Sequence, residues 1–213
     1  MTLDFKVRIS NKPQFTNDPL VPNSIRGLLI GASNCGKSSL LFRMILQPNF
    51  IDYDNLYIFS KSLNQQEYQL IINGYMNHLT KEDIIHLFEV GEKLKDVDMK
   101  SICEFYSHEY DCKGKITVSA FNSSTVIPDP SSLDSAKKNL MIFDDVIMEK
   151  QDKISDYYTR SRHNNTQCFY ISQNVMKIPK STVRENANLI ILFKLSDADI
   201  RNVHEQLVLS DMD

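Results

Sequence analysis

The stretch Gly27-Leu-Leu-Ile-Gly-Ala-Ser-Asn-Cys-Gly-Lys-Ser-Ser-Leu40 decides how the rest of the chain is read. Leu28 to Ile30 is an apolar run that predicts a strand, and Gly31 to Ser38 has the form G-x-x-x-x-G-K-[ST]. Leu40, Leu41, Met44 and Ile45 follow at helical spacing. Strand, loop and helix is the context in which this motif holds a phosphate. The glycines let successive N–H groups turn inward toward an anion, and the helix start adds its positive dipole end. Lys37 is placed to reach the β- and γ-phosphates and the Ser38 hydroxyl to bind Mg²⁺. Gly31, Ala32, Ser33, Asn34, Cys35, Gly36 and Ser39 complete the cradle. The expectation is a nucleoside triphosphate site.

At 213 residues the chain is long enough for one α/β domain with a full core, and 42% hydrophobic with 24% charged residues is ordinary for a globular protein. A net charge of −3 excludes a molecule coated in basic surface, while leaving room for a local basic stripe. Cys35, Cys103, Cys112 and Cys168 are scattered without tight pairing, and Asp4 interrupts any secretory leader. The expectation is reduced thiols in an intracellular compartment. No apolar stretch approaches the roughly 20 residues of a membrane helix, so a membrane partner is not expected.

Outward from the phosphate loop, residues 1–26 read as an N-terminal arm with one alternating strand, Phe5 to Ile9, and residues 27–213 as a single core. Strands are expected over 28–31, 55–60, 115–121, 140–145, 168–172 and 189–194. Helices are expected over 37–47, in two pieces over 64–94 with Asn73-Gly74 as the break, over 147–163 and over 197–209. Residues 95–138 give little periodicity beyond their one strand. Buried strands that are nearly continuous in apolar residues and alternate with helices imply a mainly parallel sheet with helices on both faces.

Phosphoryl chemistry needs a second acid on a strand beside the phosphate loop. Asp144 fits, because Leu140 to Phe143 precede it and it falls at the C-terminal edge where such sheets bind ligands; Asp54 and Asp197 lack that placement. Asp145 is the candidate to polarise the attacking water, with a second Mg²⁺-shell or capping role as the plainer reading. Gln173, at the tip of the next strand, can report whether the γ-phosphate is intact. Arg160, Arg162 and His163 gather at a helix end, where cations suit the dipole. Either arginine could instead reach a neighbour's triphosphate, with Arg184 in reserve. Cys103, His108 and Cys112 form C-x₄-H-x₃-C, which lacks a fourth zinc ligand and reads as two buried thiols and a satisfied histidine.

Together these residues resemble the genome-packaging ATPases of the FtsK–HerA superfamily, in its poxvirus-type branch of large DNA viruses, virophages and polinton-like elements. The resemblance runs from about Ile25 to Ile200 and rests on five stretches beside the phosphate loop. These are Asn55 to Ser60 with Gln66-Glu67-Tyr68, Ile142 to Asp145, Arg162-His-Asn-Asn165, Tyr170-Ile-Ser-Gln-Asn174 and Leu192-Phe-Lys194. It implies a RecA-like P-loop fold assembling as a pentameric or hexameric ring at a capsid vertex, hydrolysing ATP with Mg²⁺ to drive double-stranded DNA into the shell. It implies Lys37 and Ser38 as nucleotide and Mg²⁺ ligands, Asp144 as the Mg²⁺-associated acid, and Asp145 as the base. Gln173 would be the sensor, and Arg160 or Arg162 the finger in trans. It also implies a location in the virion or at assembly sites in the host cytoplasm. The chain ends sooner than the family often does and shows no obvious cationic DNA-facing loop.

Other P-loop readings fit less well. A small-molecule kinase needs an arginine-bearing lid that residues 95–138 do not offer. A GTPase needs Asn-Lys-x-Asp late in the chain, whereas the Asn11-Lys12 pair precedes the loop. The ABC signature is absent, and a non-enzymatic scaffold would have no use for Lys37, Ser38, Asp144 and Asp145 together. A cellular or plasmid DNA pump of the same superfamily is the nearest competitor.

Overall fold

Each central strand sends alternate side chains to opposite faces, and here both faces are apolar. In the computed structural model, which describes residues 13–90 and 98–205 apart from the side chains of Arg162 and His163, six strands form one all-parallel sheet. They are β1 (Arg26–Ile30), β2 (Asn55–Ser60), β3 (Thr117–Phe121), β4 (Asn139–Asp144), β5 (Thr166–Ser172) and β6 (Leu189–Leu192), in the order β3-β2-β4-β5-β1-β6. Leu29, Leu56, Ile142 and Ile171 pack beneath helices α1 (Lys37–Leu46), α2 (Gln66–Met76), α3 (Lys81–Val90) and α4 (Met99–Tyr110). Leu28, Ile30, Phe143 and Tyr170 face the other way, against α5 (Asp152–Arg160) and Val203 of α6 (Asp197–Val203). Two-sided burial is why these strands read as continuous apolar runs, and each fully buried large side chain contributes about 1.5–3 kcal/mol.

The expected α/β architecture is present, with shifts at several boundaries. The helix expected over 147–163 is α5, at Asp152–Arg160, followed by a 3₁₀ turn at Ser161–Asn164. The last strand ends at Leu192; Phe193 N–H still donates to the Ile30 carbonyl of β1 at 2.8 Å, and the Lys194 carbonyl accepts from Ala32 N–H of the phosphate loop. Residues 206–209 of the expected last helix, the alternating strand of residues 5–9, and residues 91–94 lie outside the described residues. The unexpected helix is α4, whose exposed Phe105 and Tyr110 blur its amphipathic pattern. His108 is exposed and Cys112 half-buried, so of the expected pair of buried thiols only Cys103 is one.

Asn73-Gly74 does not break the helix. Asn73 bonds back to the Gln69 carbonyl at 2.8 Å inside α2, and the break falls at residues 77–80. Gly74 serves contact between helices: a Cβ there would lie 2.8 Å from Cγ1 of buried Ile84 on α3. Gly74→Ala gains about 1 kcal/mol of helix propensity but overpacks the interface at a cost of roughly 1–3 kcal/mol. The expected outcome is a net loss of stability, read as a lower urea midpoint; an unchanged or higher midpoint would contradict the close packing.

Candidate nucleotide site

The strand ends converge on one edge of the sheet. Gly31 N–H donates to the Ser172 carbonyl at 3.2 Å and Ala32 N–H to the Lys194 carbonyl at 3.2 Å, so the loop after β1 is stitched to the ends of its neighbours. Asn34 and Gly36 adopt left-handed backbone, with φ of 56° and 91°, the alternation that turns consecutive N–H groups toward one point. No side chain caps α1, which leaves its first N–H groups for an anion. Lys37 is buried and folds back across the loop, its Nζ donating to the carbonyls of Gly31 at 2.9 Å and Ala32 at 2.6 Å.

These elements wall a cavity of about 650 Å³, a volume that suits a nucleoside triphosphate. Residues 33–39, Asp144, Asp145 and Gln173 all line it. Gly31 and Ala32, expected in the cradle, sit behind the wall. A Cβ on Gly31 would meet Phe193 Cβ at 2.5 Å, so this glycine is there for close packing beneath the loop.

Asp144 is not on the strand beside the phosphate loop. It ends β4, and β5 runs between β4 and β1, pairing Ile30 with Ser172 and Asp144 with Ile171. The intervening strand is the one tipped by Gln173, so the amide stands between the loop and the acid. Ser38 Oγ lies 3.3 Å from Asp144 Oδ2, and Tyr68 from α2 donates its hydroxyl to the same carboxylate oxygen. Burial, reinforced by the charge of Asp145, holds the Asp144 carboxyl above its usual range despite the hydrogen bonds from Tyr68 and Ser38 and the charge of Lys37. Burial and the Asp144 charge likewise push the Tyr68 phenol well up, so it stays a donor.

Asp145 was expected to finish the strand. It leaves it instead, with φ of 55°, and its Oδ2 accepts from Ser62 Oγ at 3.3 Å. A non-glycine residue held in left-handed backbone beside a cavity is the kind of strain that accumulates at functional sites.

Arg160 and Arg184 do not line the cavity. Arg160 closes α5 just before β5 begins, 73% exposed and paired with Asp156 at 3.5 Å. The Arg162 backbone lies in the turn that follows, at the same edge. Arg184, also on the edge where strands start, is 7% exposed. Sequence reading missed Tyr68 as a partner of Asp144, and also Ser62, Glu67 and Lys177, which line the cavity. The Gln66-Glu67-Tyr68 triplet was the available signal.

No protein-family model and no curated protein matches the chain. Among solved structures it is similar to B204, the DNA-packaging ATPase of Sulfolobus turreted icosahedral virus, with a TM-score of 0.54 and 14% identity over 89% of this chain and 84% of that one. It is also similar to the genome packaging NTPase B204 of Sulfolobus turreted icosahedral virus 2 in complex with sulfate, with a TM-score of 0.50 and 14% identity over 86% of this chain and 80% of that one. The complex of the same protein with AMP gives a TM-score of 0.50 and 14% identity over 88% and 83%. At that identity the likeness is one of fold, and it agrees with the sheet and loop just described. The chain has the RecA-like P-loop α/β fold of these ATPases.

Proposed function

We propose that this chain is an ATP-hydrolysing motor that drives double-stranded DNA into a viral capsid as a ring of five or six copies. The observation that carries the reading is the meeting of Lys37, Ser38, Asp144 and Gln173 on one triphosphate-sized cavity, in the fold of a DNA-packaging ATPase. Capsid vertex proteins are the further partners, and the site of action is the virion or the host cytoplasm where virions assemble. Among the described residues no helix is long and apolar enough to cross a membrane.

The loop N–H groups and Lys37 bind the phosphates. Ser38 and Asp144 offer two oxygens 3.3 Å apart at the cavity wall, a hard donor set that suits Mg²⁺. Ser38 and Asp144 would hold the ion, which would supply electrostatic stabilisation of the charge on the triphosphate. Asp145 accepts a proton from the attacking water, whose oxygen bonds the γ-phosphorus as the bond to the bridging oxygen breaks. ADP leaves with the electron pair. Gln173 donates to the γ-phosphate and accepts from the water, which orients it. Arg160 or Arg162 must act on a neighbouring copy. The seven residues of β5 span about 23 Å between Arg160's edge and its own cavity.

Turnover of ATP measured against protein concentration, with and without double-stranded DNA, tests the motor reading. It is expected to rise with both and to vanish in Lys37→Ala. Turnover indifferent to both would overturn it. Mixing Lys37→Ala chains with Arg160→Ala or Arg162→Ala chains is expected to restore hydrolysis at mixed interfaces for the arginine that acts in trans; recovery with neither would remove both from that role.

A further inference from the structure

With the arginines on the far edge, the charge balance of the cavity becomes the question. Three carboxylates line it, Glu67, Asp144 and Asp145, and a bound triphosphate adds several negative charges. Among the described residues the only cationic side chains on the wall are Lys37 and Lys177. Lys37 belongs to the phosphate loop. Lys177 has no assigned role.

Its backbone is fixed rather than loose. Lys177 ends a 3₁₀ turn, Val175–Lys177, that follows Gln173 and Asn174 at the tip of β5. The Asn174 side chain accepts from Met176 N–H at 2.8 Å, and Ser172 Oγ donates to the Asn174 carbonyl at 3.1 Å. Val175 and Ile178, on either side of the exposed lysine, are each 1% exposed and anchor the turn in the core. The turn therefore holds an exposed lysine on the same cavity wall as Gln173, and Lys177 makes no ion pair with any described residue.

We propose that Lys177 is a second phosphate-binding lysine, contributed in cis, which binds the terminal phosphoryl group and gives the site its preference for triphosphate over diphosphate. A lysine suits this place because its ammonium is a point charge on a flexible stem that can follow the phosphoryl group. The inference rests on reading the cavity as an ATP site.

The test compares binding of a non-hydrolysable ATP analogue and of ADP, both with Mg²⁺, to full-length wild-type, Lys177→Ala and Lys177→Arg chains at concentrations where the chain is monomeric. Lys177→Ala is expected to weaken the analogue by about tenfold, the size of one charge-assisted hydrogen bond, and ADP by less than about twofold. Lys177→Arg is expected to keep most of the preference. Equal weakening of both ligands would reduce Lys177 to a general contributor of charge, and no change in either would make it a solvent-facing lysine; each overturns the proposal. If wild type binds neither nucleotide, the ATP-site reading fails, and Lys177 falls with it for a different and recognisable reason.

Discussion

Asp144→Asn is expected to cut ATP hydrolysis by about 10³-fold while raising the melting temperature of the nucleotide-free protein. The first effect follows from losing the carboxylate that, with Ser38, forms the hard donor set at the cavity wall. A bound divalent ion supplies several kcal/mol of transition-state stabilisation, and about 4 kcal/mol corresponds to roughly 10³ in rate. The second follows from the sign of the pKa shift. Burial raises the Asp144 carboxyl above its unfolded value, so its ionised form is less favourable in the folded chain than in the unfolded one. Folding is helped where the group is protonated, and that help is lost as pH rises through the folded value. Asparagine is neutral throughout and keeps it. The gain in melting temperature should therefore be largest near neutral pH and shrink on acidification, when Asp144 itself becomes neutral. A variant less stable than wild type at pH 7 would show that Asp144 is not held in the environment described.

Asp145→Asn is expected to lower turnover by roughly 10² to 10⁴, the range of a lost general base, with little change in nucleotide affinity. The argument is positional. Asp145 is held in left-handed backbone at the cavity and steered by Ser62. Glu67 lines the same cavity and is the rival carboxylate. In Glu67→Gln the fall should stay under about tenfold, because its first-turn position on α2 also serves the helix dipole at a modest energy. Single-turnover hydrolysis with both variants decides between them; a larger loss in Glu67→Gln would move the base from the end of β4 to the start of α2.

Much of the site was legible because its parts are local. The phosphate loop, Asp144 after four apolar residues and Gln173 after a buried strand each announce themselves within a few residues. What could not be read depends on long-range assembly. Nothing around Phe143 or Ile171 says that β5 lies between the two halves of the site, since strand order is a property of the whole sheet. Tyr68 looks like an ordinary buried aromatic on α2 until Asp144, 76 residues on, takes its hydroxyl. Gly74 carries the same letter as a helix breaker and does the opposite work, because its neighbour Ile84 comes from another helix. Arg160 and Arg162 were found as a cluster, yet which edge they occupy follows only from the course of α5 back along the sheet. α4 went unread because its apolar positions include exposed ones.

The strand between the phosphate loop and Asp144 also acts as a gauge. Two interstrand spacings separate β1 from β4, about 10 Å, and they are set by backbone hydrogen bonds along β5 on both sides. Side-chain substitutions can reshape what lines the gap, but the gap itself cannot widen or narrow without stripping those bonds from a strand buried along its whole length. The jaw is rigid, so any movement at this site has to be carried by the loops at its rim.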